Sequence, residues 1–101
     1  MKRIILNAFD MSCVTHQAPG LWRHPANRAD RYTSLHEWVE IARLLERGGF
    51  DALFLADVLG VYDVWRGSGE AALTDADQVP LGDPIIPISA MAYATEHLGF
   101  G

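Results

Sequence analysis

The chain has 101 residues, half of them hydrophobic and 21% charged, with a formal net charge of -5. That balance is globular rather than disordered, and the acidic excess argues against a nucleic-acid partner, because polyphosphate is held by clustered Lys and Arg. Cys13 is the single cysteine, which excludes an internal disulfide and fits a reducing compartment, so a cytoplasmic location is expected. No apolar run approaches the roughly 20 residues that span a bilayer. The basic start Met1-Lys2-Arg3 leads into a short strand-like run with Asn7 and Asp10 close behind, not into a signal peptide.

The first predicted element is a strand over Arg3–Phe9, whose continuous Ile4, Ile5 and Leu6 suit a strand covered on both faces. A long loop follows, Asp10–Tyr32, punctuated by Pro19-Gly20 and Pro25 and carrying Cys13, His16, Trp22, Arg23 and His24. The spacing then predicts a helix over Ser34–Arg47. Thr33 or Ser34 caps it, Glu37 stands at capping-box spacing from Ser34, and Leu35, Trp38, Val39, Ala42 and Leu45 share one face. Gly48-Gly49 stops it, and Ala52–Ala56 reads as a second strand.

Val58–Gly82 is a second connection far longer than the usual two to six residues, with Tyr62, Trp65 and Arg66 ahead of an acidic stretch read as a solvated loop. Asp83-Pro84 opens a second helix, regular from about Pro87, running through Met91 to His97 and ending at Gly99. A third strand is expected next. Residues 1–101 are therefore read as one incomplete barrel domain that stops before its third strand. Strand, helix, strand is the unit of a parallel α/β sheet, and a complete eight-stranded α/β barrel takes about 250 residues.

Parallel sheets place their ligands beyond the carboxyl ends of the strands. Asp57 ends the apolar run Phe50–Asp57 at that place and is the first candidate; its ordinary alternative is a helix cap or loop salt bridge. The loop after the first strand opens on the same end, so Cys13 and His16 are candidates to share a pocket with Asp57. Their ordinary roles are a buried small hydrophobe and a surface histidine. Metal binding is not expected, because no pair of ligands has zinc-finger spacing and His36-Glu37 lacks the second histidine of a zincin motif. Neither strand is followed by a glycine-rich phosphate loop. Trp38 reads as core. Trp22, in a loop between Gly20 and two basic residues, is harder to explain by packing.

Four segments carry a family resemblance: Leu6-Asn7-Ala8-Phe9, Gly20-Leu21-Trp22-Arg23-His24-Pro25, Phe50–Asp57, and the run from Ile88 through Ser89-Ala90-Met91-Ala92-Tyr93 to Leu98. In order and spacing the chain resembles the N-terminal part of the bacterial-luciferase-like flavin monooxygenases. It is most similar to the branch that oxidises nitrilotriacetate, dibenzothiophene sulfone and long-chain alkanes, and nearest to the alkane-oxidising type, which shares Cys13, His16 and Tyr62-Asp63-Val64. The resemblance implies a TIM (α/β)8 barrel of which these residues form about two βα units. It implies reduced FMN delivered by a separate flavin reductase, O2 as co-substrate, one oxygen atom inserted into a small organic substrate, and a homo-oligomer. It also implies that Asp57 contacts the flavin, that Cys13, His16 and Tyr62 line the reacting pocket, and that the phosphate contacts lie beyond Gly101. Two other readings remain open: a deazaflavin-dependent oxidoreductase of the same superfamily, against which Trp22 to Pro25 argues, and a non-catalytic α/β interaction module using a sheet edge.

Overall fold

The computed structural model describes residues 2–101. In chain order the elements are β1 (Asn7–Met11), α1 (Leu35–Arg47), β2 (Ala52–Ala56), α2 (Glu70–Thr74), α3 (Ile85–Ala94) and β3 (Gly99–Phe100), with single 3-10 turns at Leu21–Arg23 and Ala29–Arg31. The strands form one parallel sheet in the order β1-β2-β3. Phe9 lies beside Phe54 and Met11 beside Ala56, while Leu53 lies beside Phe100.

Helix α1 forms for the reasons its sequence offers. The Ser34 side chain accepts the Glu37 amide, and Gly49 turns the chain out of the helix at φ 77°, a conformation that costs glycine little. Trp38 and Ala42 face inward with Leu53, Leu55, Met91 and Leu98, and that cluster is the core. Leu53 and Met91 are its most enclosed side chains; truncating either to Ala would cost about 2–5 kcal/mol. Leu35, placed on the apolar face by its spacing, is instead about half exposed at the helix start. Glu37 does not reach back to the cap but meets Arg28, 2.5 Å away.

The first strand is Asn7–Met11 and not Arg3–Phe9. Its register explains the shift. The Asp51 and Ala52 amides both donate to the Leu6 carbonyl, the Leu6 amide donates to the Asp51 carboxylate, and laddered pairing begins only at Asn7 opposite Ala52. No strand lies opposite residues 3–5, where Arg3 pairs with the Asp51 carboxylate, and Ile4 and Ile5 are exposed in these 101 residues.

Helix α3 begins at Ile85, ahead of Pro87, with the Asp83 carboxylate accepting the Ile85 amide. It ends at Ala94 rather than near Gly99. The Glu46 carboxylate stops it, accepting the amides of Glu96, His97 and Leu98 at 2.8, 2.6 and 3.1 Å. Those amides are thereby drawn out of the helical ladder, and the chain turns into β3. The third strand thus starts inside the chain, at Gly99, where the sequence pattern alone placed a helix end. The acidic stretch is likewise not all solvated loop. Glu70–Thr74 is a short helix, and Asp75 and Asp77 are partly buried. No described helix is long and apolar enough to cross a membrane.

Candidate active site

The alternation of the strands creates two unlike faces. Leu53 and Leu55 point to α1 and α3, whereas Phe9 and Phe54, neighbours in register, stand about half exposed on the other face with ring centroids 5.6 Å apart. Towards the carboxyl end of the strands the same face closes over Met11, Ala56, Cys13 and Leu81.

Over that end the two long connections are laced to one another. Cys13 bridges to Leu81 and Thr15 to Asp77. The Gln78 amide donates to the Thr15 carbonyl over 2.7 Å, and the Gly82 amide to the Ser12 carbonyl over 2.6 Å. Glycine at 82 is required by that approach, since a Cβ there would lie 2.5 Å from Ser12 Oγ. Farther out, Trp22 Nε1 donates to the Asp75 carbonyl at 2.9 Å, and Arg23 pairs with the Asp75 carboxylate at 3.4 Å. Trp22 therefore serves the architecture, tying the first loop to the second.

Three of the four residues singled out from the sequence meet in this layer. Cys13 is buried, its thiol donating to the Thr15 carbonyl at 3.2 Å. Burial raises its pKa, and the nearby charges of Asp10 and Asp77 add to the rise, so the sulfur is held as the thiol. His16 is half-buried, its ring centroid 5.0 Å from that of Phe9. The Tyr62 hydroxyl accepts a hydrogen bond from Gln78 Nε2 at 3.1 Å. Asp57 follows β2 directly, as expected, but is exposed and stands outside the set of hydrogen bonds that joins the two loops.

Gln78 is the residue that sequence reasoning missed. It is a buried polar side chain that joins the two loops through its backbone and orients Tyr62 through its amide. It and Ala76 both have left-handed backbones, φ 57° and 54°, a strained choice for residues other than glycine that tertiary contacts must enforce. Phe9 and Phe54 were missed as a wall because the first strand was read as covered on both sides. Asp10 is a further acid at the end of β1. Burial raises its pKa, opposed by the Met11 amide that donates to it at 2.8 Å and by the charge of His16.

Known proteins share this fold. Residues 8–101 match the family model for the luciferase-like monooxygenases. The dimethyl-sulfide monooxygenase of Hyphomicrobium sulfonivorans is 65% identical over 100 residues, 99% of this chain and 21% of that protein. Its crystal structure superposes with a TM-score of 0.92. The long-chain alkane monooxygenase of Geobacillus thermodenitrificans is 60% identical over 99 residues, 98% of this chain and 22% of that protein. The crystal structure of a riboflavin lyase with modified FMN and riboflavin matches 98% of this chain and 22% of that one, at 29% identity and TM-score 0.83. The chain thus spans about a fifth of the length of the relatives it matches. The three parallel strands and their helices correspond to the N-terminal part of the luciferase-like α/β barrel. The chain belongs to the luciferase-like monooxygenase family.

Proposed function

We propose that these residues form the N-terminal part of a two-component flavin-dependent monooxygenase, which receives reduced FMN from a separate reductase and inserts one atom of O2 into a small organic substrate. The relatives' names point to dimethyl sulfide and long-chain alkanes as the class of substrate, both apolar molecules. The observation that carries the proposal is the match of residues 8–101 to the luciferase-like monooxygenase family, joined to a polar layer at the carboxyl end of the strands.

The residues present suit a flavin. A planar, largely apolar ring system needs a few placed polar groups around it, and His16, Tyr62 and Gln78 would offer them at the carboxyl end of the strands, where barrel ligands sit, above Phe9 and Phe54 on the face that a closed barrel fills with side chains. Bound reduced flavin would supply the activation of O2; the protein supplies position and exclusion of water. The laced loops cover the mouth and keep water from it. His16 presents an imidazole beside Phe9, able to hold a proton for exchange with the reacting oxygen. Gln78 orients the Tyr62 hydroxyl. Cys13, held as a thiol, contributes an apolar lining and no nucleophile. Asp57, at the rim, would contact the bound flavin.

The test is reductase-coupled product formation by a complete barrel carrying residues 1–101, made by joining the chain to the rest of the Hyphomicrobium enzyme. Oxygenated product stoichiometric with reduced FMN is expected. A barrel that binds reduced FMN but only returns hydrogen peroxide, with every sulfide and alkane tried, would refute the reading. The 101 residues alone, with an open three-stranded sheet, are expected to form no product.

A further inference from the structure

The turn that follows α2 is strained. Ala76 and Gln78 adopt left-handed backbones, φ 54° and 57°, which residues other than glycine hold only where their surroundings enforce it. The first loop supplies that enforcement on both sides of the turn. Ahead of it, Trp22 Nε1 donates to the Asp75 carbonyl at 2.9 Å, and the Arg23 guanidinium reaches the Thr74 carbonyl and the Asp75 carboxylate, each at 3.4 Å. Behind it, the Gln78 amide donates to the Thr15 carbonyl at 2.7 Å. Trp22 and Arg23 act as one unit, because the guanidinium lies over the indole, 4.9 Å from its centroid. They also finish α2. That helix has no basic residue in its own last turn, and its terminal carbonyls are met instead by side chains from 51 and 53 residues earlier. What the turn delivers is the Gln78 carboxamide, 3.1 Å from the Tyr62 hydroxyl. Every one of these contacts lies inside the 101 residues.

We infer that Trp22 and Arg23 are positioning residues for Tyr62: they clamp the 75–78 turn and thereby hold the Gln78 carboxamide on the Tyr62 hydroxyl. The functional consequence rests on the flavin-monooxygenase reading, in which Tyr62 lines the reacting pocket. With the clamp removed, Asp75 loses its anchors and the Thr15 pairing alone is left to hold two unfavourable backbone conformations. The carboxamide then has no fixed place, and the Tyr62 hydroxyl loses its donor. Trp22 and Arg23 touch neither substrate nor flavin in this account; they act through Gln78.

The experiment puts fluorotyrosine at position 62 of the complete barrel carrying residues 1–101 and records its fluorine NMR signal with no flavin present. Trp22→Phe keeps an aromatic ring and removes the N–H. Arg23→Gln removes the charge from a half-exposed side chain and keeps the test open should Trp22→Phe not fold. Each is expected to shift or broaden the signal towards that of Gln78→Met, and neither should move it further once Gln78→Met is present. Arg23→Lys, which keeps a cation beside Asp75, should restore most of the native signal. Exchange of the Gln78 backbone amide should quicken roughly fivefold in Trp22→Phe, the worth of one hydrogen bond. A native signal in both single variants, or a displacement of the same size with and without Gln78→Met, would overturn the inference. In a barrel that makes product, Trp22→Phe and Gln78→Met should each lower product per reduced flavin, and the double variant no further than Gln78→Met alone. A native yield in Trp22→Phe with the signal displaced would also overturn the inference, by showing that the clamp does not serve the reaction. Because the fluorine signal needs no flavin, coupled signals in a barrel that makes no oxygenated product would count against the oxygenase reading alone.

Discussion

The Gln78 carboxamide donates to the Tyr62 hydroxyl across 3.1 Å, from a residue whose backbone is held at φ 57° and whose own amide is bound to the Thr15 carbonyl. One side chain thus couples the position of Tyr62 to the pairing of the two loops. Gln78→Met, which keeps the length and removes the donor, should lower stability by about 1 kcal/mol, the net worth of one such bond. Tyr62→Phe should then cost clearly less in the Gln78→Met background than alone. Urea unfolding of the four members of this cycle in the complete barrel measures the coupling. Strict additivity would show that the bond contributes nothing.

Cys13 should be a poor nucleophile. Its thiol is buried and bound to the Thr15 carbonyl, and burial moves its pKa up, away from the thiolate that reacts. Alkylation by iodoacetamide near neutral pH should be slower in the folded barrel than in urea by an order of magnitude or more, with the rate climbing as pH rises. Mass spectrometry over a time course reads this directly. Modification as fast as that of free cysteine would contradict the burial.

What could be read from the chain, and what could not, follows the range of the interactions. Strand β2 was legible to the residue, and α1 nearly so, because their limits are set locally by Ser34, by Gly48-Gly49 and by an unbroken apolar run. The start of β1 and the end of α3 were misplaced. Each is fixed by a distant partner, Asp51 for the first and Glu46 for the second, 45 and 50 residues away. The site divides in the same way. Asp57, Cys13, His16 and Tyr62 were candidates by position or family likeness, and the structure brings the last three together, whereas Gln78 and the Phe9–Phe54 pair depend on loop pairing and strand register, which no local pattern encodes.

The Glu46 carboxylate makes the end of α3 sensitive to acid. The His97 amide is the main cause of its lowered pKa, with the Glu96 and Leu98 amides adding to it. A carboxyl group whose folded pKa lies below its unfolded value contributes stability above the unfolded pKa, and loses it as pH falls through the folded one. Glu46→Gln should therefore destabilise the barrel at pH 7 more than at pH 3, where the native residue is itself protonated. Denaturant midpoints of both proteins at the two pH values test this. A gap of the same size at both would remove the carboxylate's charge from the account.

Asp57 lies at the carboxyl end of β2, exposed, with no part in the hydrogen bonds that lace the loops. A rim carboxylate of this kind should be replaceable without loss of fold. Asp57→Ala in the complete barrel is expected to weaken reduced-FMN binding by about 1–3 kcal/mol if it leaves a buried flavin donor unpaired. Its melting temperature should be unchanged. Anaerobic titration of reduced FMN gives the affinity, and an unaltered value together with unaltered coupling of flavin to product would dismiss the assignment.

His16 poses the sharpest choice between chemistry and packing. Its ring lies 5.0 Å from Phe9 and is half-buried at the mouth, a position that serves equally to carry a proton or to extend the aromatic wall towards Phe54. Two substitutions separate these roles. His16→Phe preserves the stacked ring and removes the proton carrier, whereas His16→Asn keeps a polar group and removes the ring. Acid–base assistance is typically worth about 10²–10⁴-fold in rate. If His16 exchanges a proton with the reacting oxygen, both variants should lose product per reduced flavin, and the pH dependence of that yield should flatten in both. If it only packs, His16→Phe should keep the native yield and His16→Asn alone should fall, with stability falling alongside. Single-turnover yields from pH 5.5 to 8.5, read beside thermal unfolding of the same samples, distinguish the two. A native yield in His16→Phe would end the catalytic reading.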